Sequence, residues 1–244
     1  MRLAICSFYD KNISTYAYYT DLINKYYCNK YHYTYISSSN YRVNHLSPHY
    51  ERYALMLEHI RNYDWIMWID ADAFFYKDAE PLEKVINHVQ HSHKCILSLS
   101  IKDYFINHCE NYYINNGVFI LKNCKENISF LNKMINCEDI KEIAEKQHYI
   151  YDQSVFRYLY CNNYENFKNN SLVLKYGILQ HFYEFEKKTL FYKPYILHMA
   201  GQNNATRRKI VLLYYYLNLY WLSKILLFVF DVLTDRCPCP RGKR

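Results

Sequence analysis

Two aspartates, Asp70 and Asp72, directly follow the apolar run 65–69. Carboxylates two positions apart point to the same side of an extended strand, or converge through a tight turn, so that both can bind one hard cation. The alternative is that an aspartate caps the turn or helix that follows a strand. Burial of two like charges without a cation is costly, and a helix that bears Arg52 precedes the strand. The pair is therefore predicted to bind Mg²⁺ or Mn²⁺ together with phosphate oxygens.

The elements that must position this pair alternate between strand and helix. Apolar and alternating runs predict strands at 3–8, 31–36, 65–69 and 95–99. Helices are predicted between them from the spacing of apolar residues at 16–26, after Ser47-Pro48, and from Pro81. This order is typical of an α/β fold with a mostly parallel sheet covered by helices. Ligands bind such sheets at the carboxyl ends of the strands, where segments 7–10 and 70–72 both lie.

The second half of the chain has a more mixed pattern. A strand is predicted at 117–121, a helix over 130–135, and a further helix from Asp152. We expect this half to build the acceptor side of the site.

Four segments in a fixed order resemble the type A glycosyltransferases, and most nearly the family of yeast galactosyl- and mannosyltransferases and plant xyloglucan xylosyltransferases. They are segments 63–74, 115–124, 152–154 and 198–201. The resemblance covers roughly residues 1 to 202, and the ordered series is far more specific than any one segment. It implies a single Rossmann-like domain, a divalent cation and a nucleotide-sugar donor.

The resemblance also implies roles for individual residues. Asp70 and Asp72 would contact the metal and the donor, and His198 would complete the metal ligands; the alternative for His198 is a hydrogen-bonded histidine near the core. Because imidazole is a softer ligand than water, such a set suits Mn²⁺ somewhat better than Mg²⁺. The catalytic residues would be Asp152, for which the alternative is a helix N-cap, and Gln153. The donor-binding residues would be Phe8, Tyr9, Arg52, Asp70, Ala71, Asn116, Gly117 and Gly201.

The chain departs from the family pattern after His198. The familiar stretch that ends in Lys-Pro is replaced by Met-Ala-Gly-Gln. A cation that binds the donor phosphates is therefore expected elsewhere, at Arg207 or Lys209.

Composition excludes several classes of function. The formal net charge is +7, but the basic residues are dispersed and form no stripe of the kind that a nucleic-acid duplex requires. The chain has only four glycines, which argues against nucleotidyltransferases and phosphohydrolases that cradle phosphates in glycine-rich loops. The 30 tyrosines are explained better by A/T-rich codons than by a special aromatic binding surface. No nucleic-acid partner is predicted.

The chain is predicted to divide into a catalytic domain, 1–205, and a C-terminal hydrophobic helix with a basic tail, 206–244. Residues 210–233 are the most hydrophobic stretch; they are long enough to cross a bilayer, but polar interruptions also suit a helix at the membrane interface, in the core or in a dimer. Nine cysteines without a paired framework indicate a reducing compartment, so a cytoplasmic protein, membrane-associated through this helix, is expected. The pair Cys237-Pro-Cys239 could bind metal or take lipid, but two cysteines make an incomplete zinc site, and an ordinary exposed tail is favoured. The sequence does not predict the oligomeric state.

The predicted function is transfer of a hexose or pentose from a nucleotide-sugar, with UDP as the expected nucleotide, to a glycan or glycoprotein acceptor. The resemblance implies retention of the anomeric configuration. The alternative is a catalytically inactive, membrane-associated scaffold protein on the same fold.

Overall fold

The computed structural model describes residues 1–87, 89, 93–99, 114–147, 151–183 and 195–217. Nine strands and seven α-helices are described in this part of the chain, beside three short 3₁₀ helices at Pro48–Tyr50, Ile60–Asn62 and Tyr164–Asn166. In chain order they are Leu3–Phe8 (β1), Ser14–Tyr31 (α1), Thr34–Ser38 (β2), Glu51–His59 (α2), Trp65–Ile69 (β3), Ala73–Phe75 (β4), Glu83–Ile86 (α3), Cys95–Leu99 (β5), Ile114–Lys122 (β6), Lys125–Ile135 (α4), Glu138–Gln147 (α5), Asp152–Cys161 (α6), Ser171–Leu174 (β7), Gln180–Phe182 (β8), Ile196–His198 (β9) and Asn204–Leu217 (α7).

The central sheet has six strands in the order β2-β1-β3-β6-β5-β7. Strand β1 is parallel to β2 and β3, and β5 is parallel to β7, whereas β6 runs antiparallel to both β3 and β5. The predicted α/β fold with a mostly parallel sheet is confirmed, with β6 as the reversed strand. Because β6 is reversed, its first residues lie beside the carboxyl end of β3, where Ile69 pairs with Val118.

A second sheet of three strands, in the order β4-β9-β8, covers this edge. Strand β4 follows β3 after a tight turn, and β9 pairs antiparallel with β4 so that Ala73 lies opposite His198. The backbone N–H of Met199 donates to the Asp72 carbonyl at 2.9 Å, which ties the end of β9 to the turn.

The core lies on both faces of the central sheet, because alternate residues of a strand point to opposite sides. Leu3 and Ile5 of β1 belong to the cluster that contacts α1 and the small sheet, whereas Ala4 and Cys6 belong to the cluster under α2, α4 and α6. Full burial of a Leu or Ile side chain contributes about 1.5–3 kcal/mol to folding. The core therefore fixes β1 and β3, which carry the predicted site at their ends.

Two predicted elements differ from the observed ones. The strand predicted at 31–36 is observed at Thr34–Ser38, because α1 continues to Tyr31 and ends at His32, which has a left-handed conformation. The helix predicted from Pro81 is a single turn, Glu83–Ile86. The Tyr31 hydroxyl at the end of α1 donates to the Ala79 carbonyl at 2.7 Å. This tyrosine therefore connects α1 to the loop between β4 and α3.

Helix α7 begins at Asn204, where the Asn203 side-chain oxygen accepts a hydrogen bond from the Thr206 N–H at 2.9 Å. Its residues Ile210 and Val211 are buried in the core cluster that contains α1. The division into 1–205 and 206–244 stays a prediction. Among the described residues, no helix is both long enough and apolar enough to cross a membrane. Residues 218–233 of the predicted hydrophobic helix, and Cys237-Pro-Cys239, lie outside the described residues.

Candidate active site

The turn after β3 carries the two predicted carboxylates. Asp70 leaves the strand with its N–H bonded to the Gly117 carbonyl at 2.9 Å, and its own carbonyl accepts from the Ala73 N–H at 2.9 Å, which closes the turn. Asp72 is buried, and the side chain of Asp70 is 24% exposed. Both line a cleft with a volume of about 750 Å³. The turn at the end of β3 thus places both carboxylates in the cleft.

His198 completes a three-residue cluster with these aspartates. One ligand atom from each of the three side chains lies within 4.8 Å of the others. The His198 Nε2 atom is 3.2 Å from Asp72 Oδ1 and 3.8 Å from Asp70 Oδ2. Two carboxylates and one imidazole are a donor set that Mn²⁺ and Mg²⁺ accept. The predicted metal ligands therefore come together, although β9 is distant from β3 in the sequence.

Gly117 lies directly against the cluster of Asp70, Asp72 and His198. A Cβ atom built on this residue would lie 2.7 Å from Asp70 Oδ2 and closer still to His198 Cε1, well inside an ordinary contact. Only glycine leaves room for both ligands at this position. The fit supports the assignment of these residues to a cation site.

Two arginines flank the carboxylates, one beside each. Arg52 is buried, and its guanidinium lies 3.2 Å from Asp70 Oδ1. Arg207 lies 2.7 Å from Asp72 Oδ2, and its guanidinium stands over the Tyr16 ring at 5.4 Å. The cleft therefore combines an acidic centre with two cations able to contact an anionic ligand.

The two carboxylates differ in pKa because their neighbours differ. Burial raises the pKa of Asp70 above its usual value, and the Asp72 charge adds to this effect, whereas Arg52 opposes it. Burial also acts to raise the pKa of Asp72, but the hydrogen-bonded His198 ring and Arg207 outweigh it and lower the pKa to about 2. Asp72 is the more strongly stabilised anion of the pair.

Asp152 lies at the start of α6 within a buried polar cluster. Its Oδ2 atom accepts hydrogen bonds from the Tyr53 hydroxyl at 2.7 Å and from Asn116 Nδ2 at 2.6 Å. The Arg52 Nε atom lies 3.2 Å from the same oxygen. Arg52 therefore links Asp152 to Asp70. The next residue, Gln153, accepts a hydrogen bond from Asn115 Nδ2 at 3.3 Å.

Most of the predicted donor-binding residues line the cleft. They are Phe8, Arg52, Asp70, Ala71, Asn116 and Gly201. Gly117 lies against the side chains of Asp70 and His198 but is not among the lining residues. Tyr9 is not among the lining residues; it packs against the hydrophobic core, and its predicted contact with a nucleobase stays a prediction.

Sequence reasoning did not single out several residues that line or support the cleft. Trp68 of the predicted strand donates to Asp70 Oδ1 at 2.7 Å, and Tyr151 has a positive φ of 67° and stacks on His49 at the cleft. A non-glycine residue in such a conformation is strained, which is common beside functional sites. The remaining additions are Asn12, Ile13, Tyr16, Pro48, Asn115 and Ala200 as lining residues and Gln180 as a partner of His198. Asp10, from the predicted ligand segment 7–10, also lines the cleft.

Comparisons with known proteins give matches among solved structures alone. No protein-family model and no curated protein matches the chain. A glycosyltransferase involved in the glycosylation of the major capsid of PBCV-1 superposes with a TM-score of 0.69, at 16% identity, over 86% of this chain and 98% of that one. The chain has a glycosyltransferase fold. The galactosyltransferase LgtC, in complex with donor and acceptor sugar analogs, gives a TM-score of 0.54 at 14% identity, over 81% of this chain and 87% of that one.

A third match agrees with these two. The glycosyltransferase GlyE of Streptococcus pneumoniae TIGR4 gives a TM-score of 0.53 at 13% identity, over 95% of this chain and 64% of that one. The type A glycosyltransferase fold expected from the four sequence segments is thereby confirmed. At these levels of identity the matches establish the fold, and the activity is argued from the cleft.

Proposed function

We propose that the protein is a glycosyltransferase that uses a divalent cation, with Mn²⁺ preferred over Mg²⁺, to bind a nucleotide-sugar donor. The observation that carries this proposal is the convergence of Asp70, Asp72 and His198 at the carboxyl edge of the sheet. In open α/β sheets this edge is the usual place for nucleotide ligands. The three solved structures compared above are named as glycosyltransferases, which favours a sugar donor over other nucleotides.

The proposed metal ligands leave part of the coordination sphere for the donor. Three protein ligands are fewer than the six that Mg²⁺ or Mn²⁺ takes, so phosphate oxygens and water complete the set. When bound, the cation supplies Lewis-acid stabilisation of the charge that develops on the departing diphosphate.

Arg207 is proposed to bind the diphosphate in place of the basic residue that the family carries after its histidine. Its guanidinium is 2.7 Å from Asp72 Oδ2. Once a cation balances Asp72, the arginine can exchange this carboxylate for a phosphate oxygen, because guanidinium forms strong charge-assisted hydrogen bonds with both.

Asp152 is proposed to face the transferred sugar. The hydrogen bonds that it receives from the described residues reach Oδ2, which fixes the plane of the carboxylate while Oδ1 remains for the substrate. An anion at this position stabilises the positive charge that grows on the sugar ring. Retention of configuration, with a glycan or glycoprotein as acceptor, completes the proposal. Gln153, beside it on α6, and Asn116 would bond sugar hydroxyls.

The proposal is tested with a panel of UDP-sugars and GDP-sugars in the presence of Mn²⁺, Mg²⁺ or a chelator. We expect nucleotide release from one donor with Mn²⁺, weaker release with Mg²⁺ and none with the chelator. Asp72→Ala should abolish release. The matched control is Asp64→Ala, which removes an exposed carboxylate at the other end of β3, paired with Arg2, and should leave release unchanged.

Three outcomes would contradict the proposal. These are no release from any donor by a folded protein, release that persists in the chelator, and full activity of Asp72→Ala. Nuclear magnetic resonance of the first product formed from the accepted donor tests retention, which an inverted anomeric carbon in that product would exclude.

A further inference from the structure

The His198 ring is held by a short chain of hydrogen bonds that begins at a backbone amide. The Gly117 N–H donates to Asn115 Oδ1 at 2.9 Å. A backbone N–H can only donate, so this contact identifies the side-chain oxygen of Asn115. The orientation of the Asn115 amide is therefore fixed by the main chain of β6.

The next link fixes the orientation of Gln180. The Gln180 side-chain atom that lies 3.2 Å from the same Asn115 oxygen must be Nε2. An amide oxygen there could only accept, and the Asn115 oxygen also only accepts, so no hydrogen bond could form. The other end of the amide, Oε1, then faces His198 Nδ1 at 2.9 Å. An amide oxygen only accepts, so the Nδ1 atom of His198 carries the hydrogen.

This arrangement leaves the other ring nitrogen for the cation. Nε2 is the atom that faces Asp72 at 3.2 Å and Asp70 at 3.8 Å. A histidine binds a metal through the nitrogen that carries no proton. His198 and Gln180 are 2% and 1% exposed, so neither can replace its hydrogen bond with one to water.

We propose that Gln180 and Asn115 are positioning residues that keep the proton of His198 on Nδ1 and present Nε2 to the metal. This inference rests on the proposed metal-binding role of His198 and extends it to two residues that make no contact with the cation. Loss of such outer partners of a metal-binding histidine typically weakens metal binding by about 10–100-fold.

The test compares Gln180→Leu, which removes both hydrogen bonds, with Gln180→Glu, which keeps an acceptor for the Nδ1 hydrogen. Protein labelled with ¹⁵N-histidine reports which ring nitrogen is protonated, and His198→Asn identifies the His198 signals. Mn²⁺ affinity is measured by electron paramagnetic resonance. Both variants are first checked for cooperative thermal unfolding.

In the wild-type protein we expect Nδ1 of His198 to carry a proton, both without metal and with Mg²⁺. In Gln180→Leu we expect the proton on Nε2 once the ring is neutral, with Mn²⁺ affinity reduced about 10–100-fold. Gln180→Glu should restore the Nδ1 proton and bring the affinity back to within a few-fold of wild type.

An unprotonated Nδ1 in the wild type overturns the inference without any variant. So does Gln180→Leu with an unchanged tautomer or unchanged Mn²⁺ affinity. If the wild-type protein binds no Mn²⁺ at all, the proposed function fails, while metal-free spectra recorded where the ring is neutral still decide which nitrogen carries its single proton.

Discussion

Gly117→Ala is the substitution for which the geometry gives the sharpest expectation. The added Cβ would lie 2.7 Å from Asp70 Oδ2 and 2.9 Å from Asn115 Oδ1, with His198 Cε1 closer still, whereas ordinary contacts are 3.4–4 Å. The His198 ring must therefore retreat by more than about 0.7 Å, while metal ligands keep their distances to within about 0.2 Å. We expect Mn²⁺ affinity to fall by about 10-fold or more, in line with the loss on disturbing other supports of a metal ligand.

The same substitution should also lower stability. Alanine in place of glycine in an unstrained strand would normally stabilise the fold by about 0.5–1 kcal/mol. Here overpacking against buried side chains should instead cost about 1–3 kcal/mol, measured by urea unfolding. The matched control is Ser98→Ala on the neighbouring strand β5, since the Ser98 hydroxyl has no hydrogen-bond partner among the described residues. Gly117→Ala with wild-type Mn²⁺ affinity and wild-type stability would refute this reasoning.

Three further predictions concern charged side chains. Arg52→Met leaves the buried Asp152 and the partly exposed Asp70 without their shared cation, so the free energy of unfolding in urea should fall by about 3 kcal/mol; a loss below 1 kcal/mol would contradict the network. Arg207→Met should weaken UDP binding, measured by calorimetry, by about 10-fold, the equivalent of one charge-assisted hydrogen bond. UDP affinity equal to that of the wild type would exclude a phosphate-binding role for Arg207. The hydrogen bond from Lys94 lowers the pKa of Glu126 to about 2, so Glu126→Gln should cost about 1 kcal/mol above pH 5. Because a depressed carboxyl pKa stabilises the fold above the unfolded-state value of 4.5, the difference from wild type should shrink as the pH falls towards 2, and a difference that is independent of pH would exclude this pair.

The parts of the fold that were predictable are those in which a continuous apolar run specifies a buried strand. Strands β1 and β3 have every residue buried, and their runs gave the correct bounds. The position of Asp70 and Asp72 at the cleft follows from such a strand, since the carboxyl edge of an α/β sheet is open to ligands.

The rest depended on contacts between distant segments. Strands β4, β8 and β9 have three residues each, too few for any periodic pattern, and they form by pairing with one another. His198 was therefore predicted from the resemblance alone. Gln180 carried no signal, because its role exists only once β8 lies beside β9.

Arg207 shows how a departure from a family pattern can itself be informative. The absence of Lys-Pro after His198 led to the expectation of a cation at Arg207 or Lys209, and Arg207 is the one that lines the cleft. The first turn of α7, capped by Asn203, brings its guanidinium to Asp72. Helix geometry thus supplies a cation that the sequence motif lacks.

The central claim is that Asp70, Asp72 and His198 hold a cation that in turn binds the donor diphosphate. It is tested most directly by calorimetric titration of UDP, and separately of GDP, into the protein with Mn²⁺ and with a chelator. We predict that Mn²⁺ tightens binding of one nucleotide, that this nucleotide tightens Mn²⁺ binding by the same factor, and that Asp72→Ala loses both effects. Nucleotide binding by the folded wild-type protein that is equal with Mn²⁺ and with the chelator would contradict the claim.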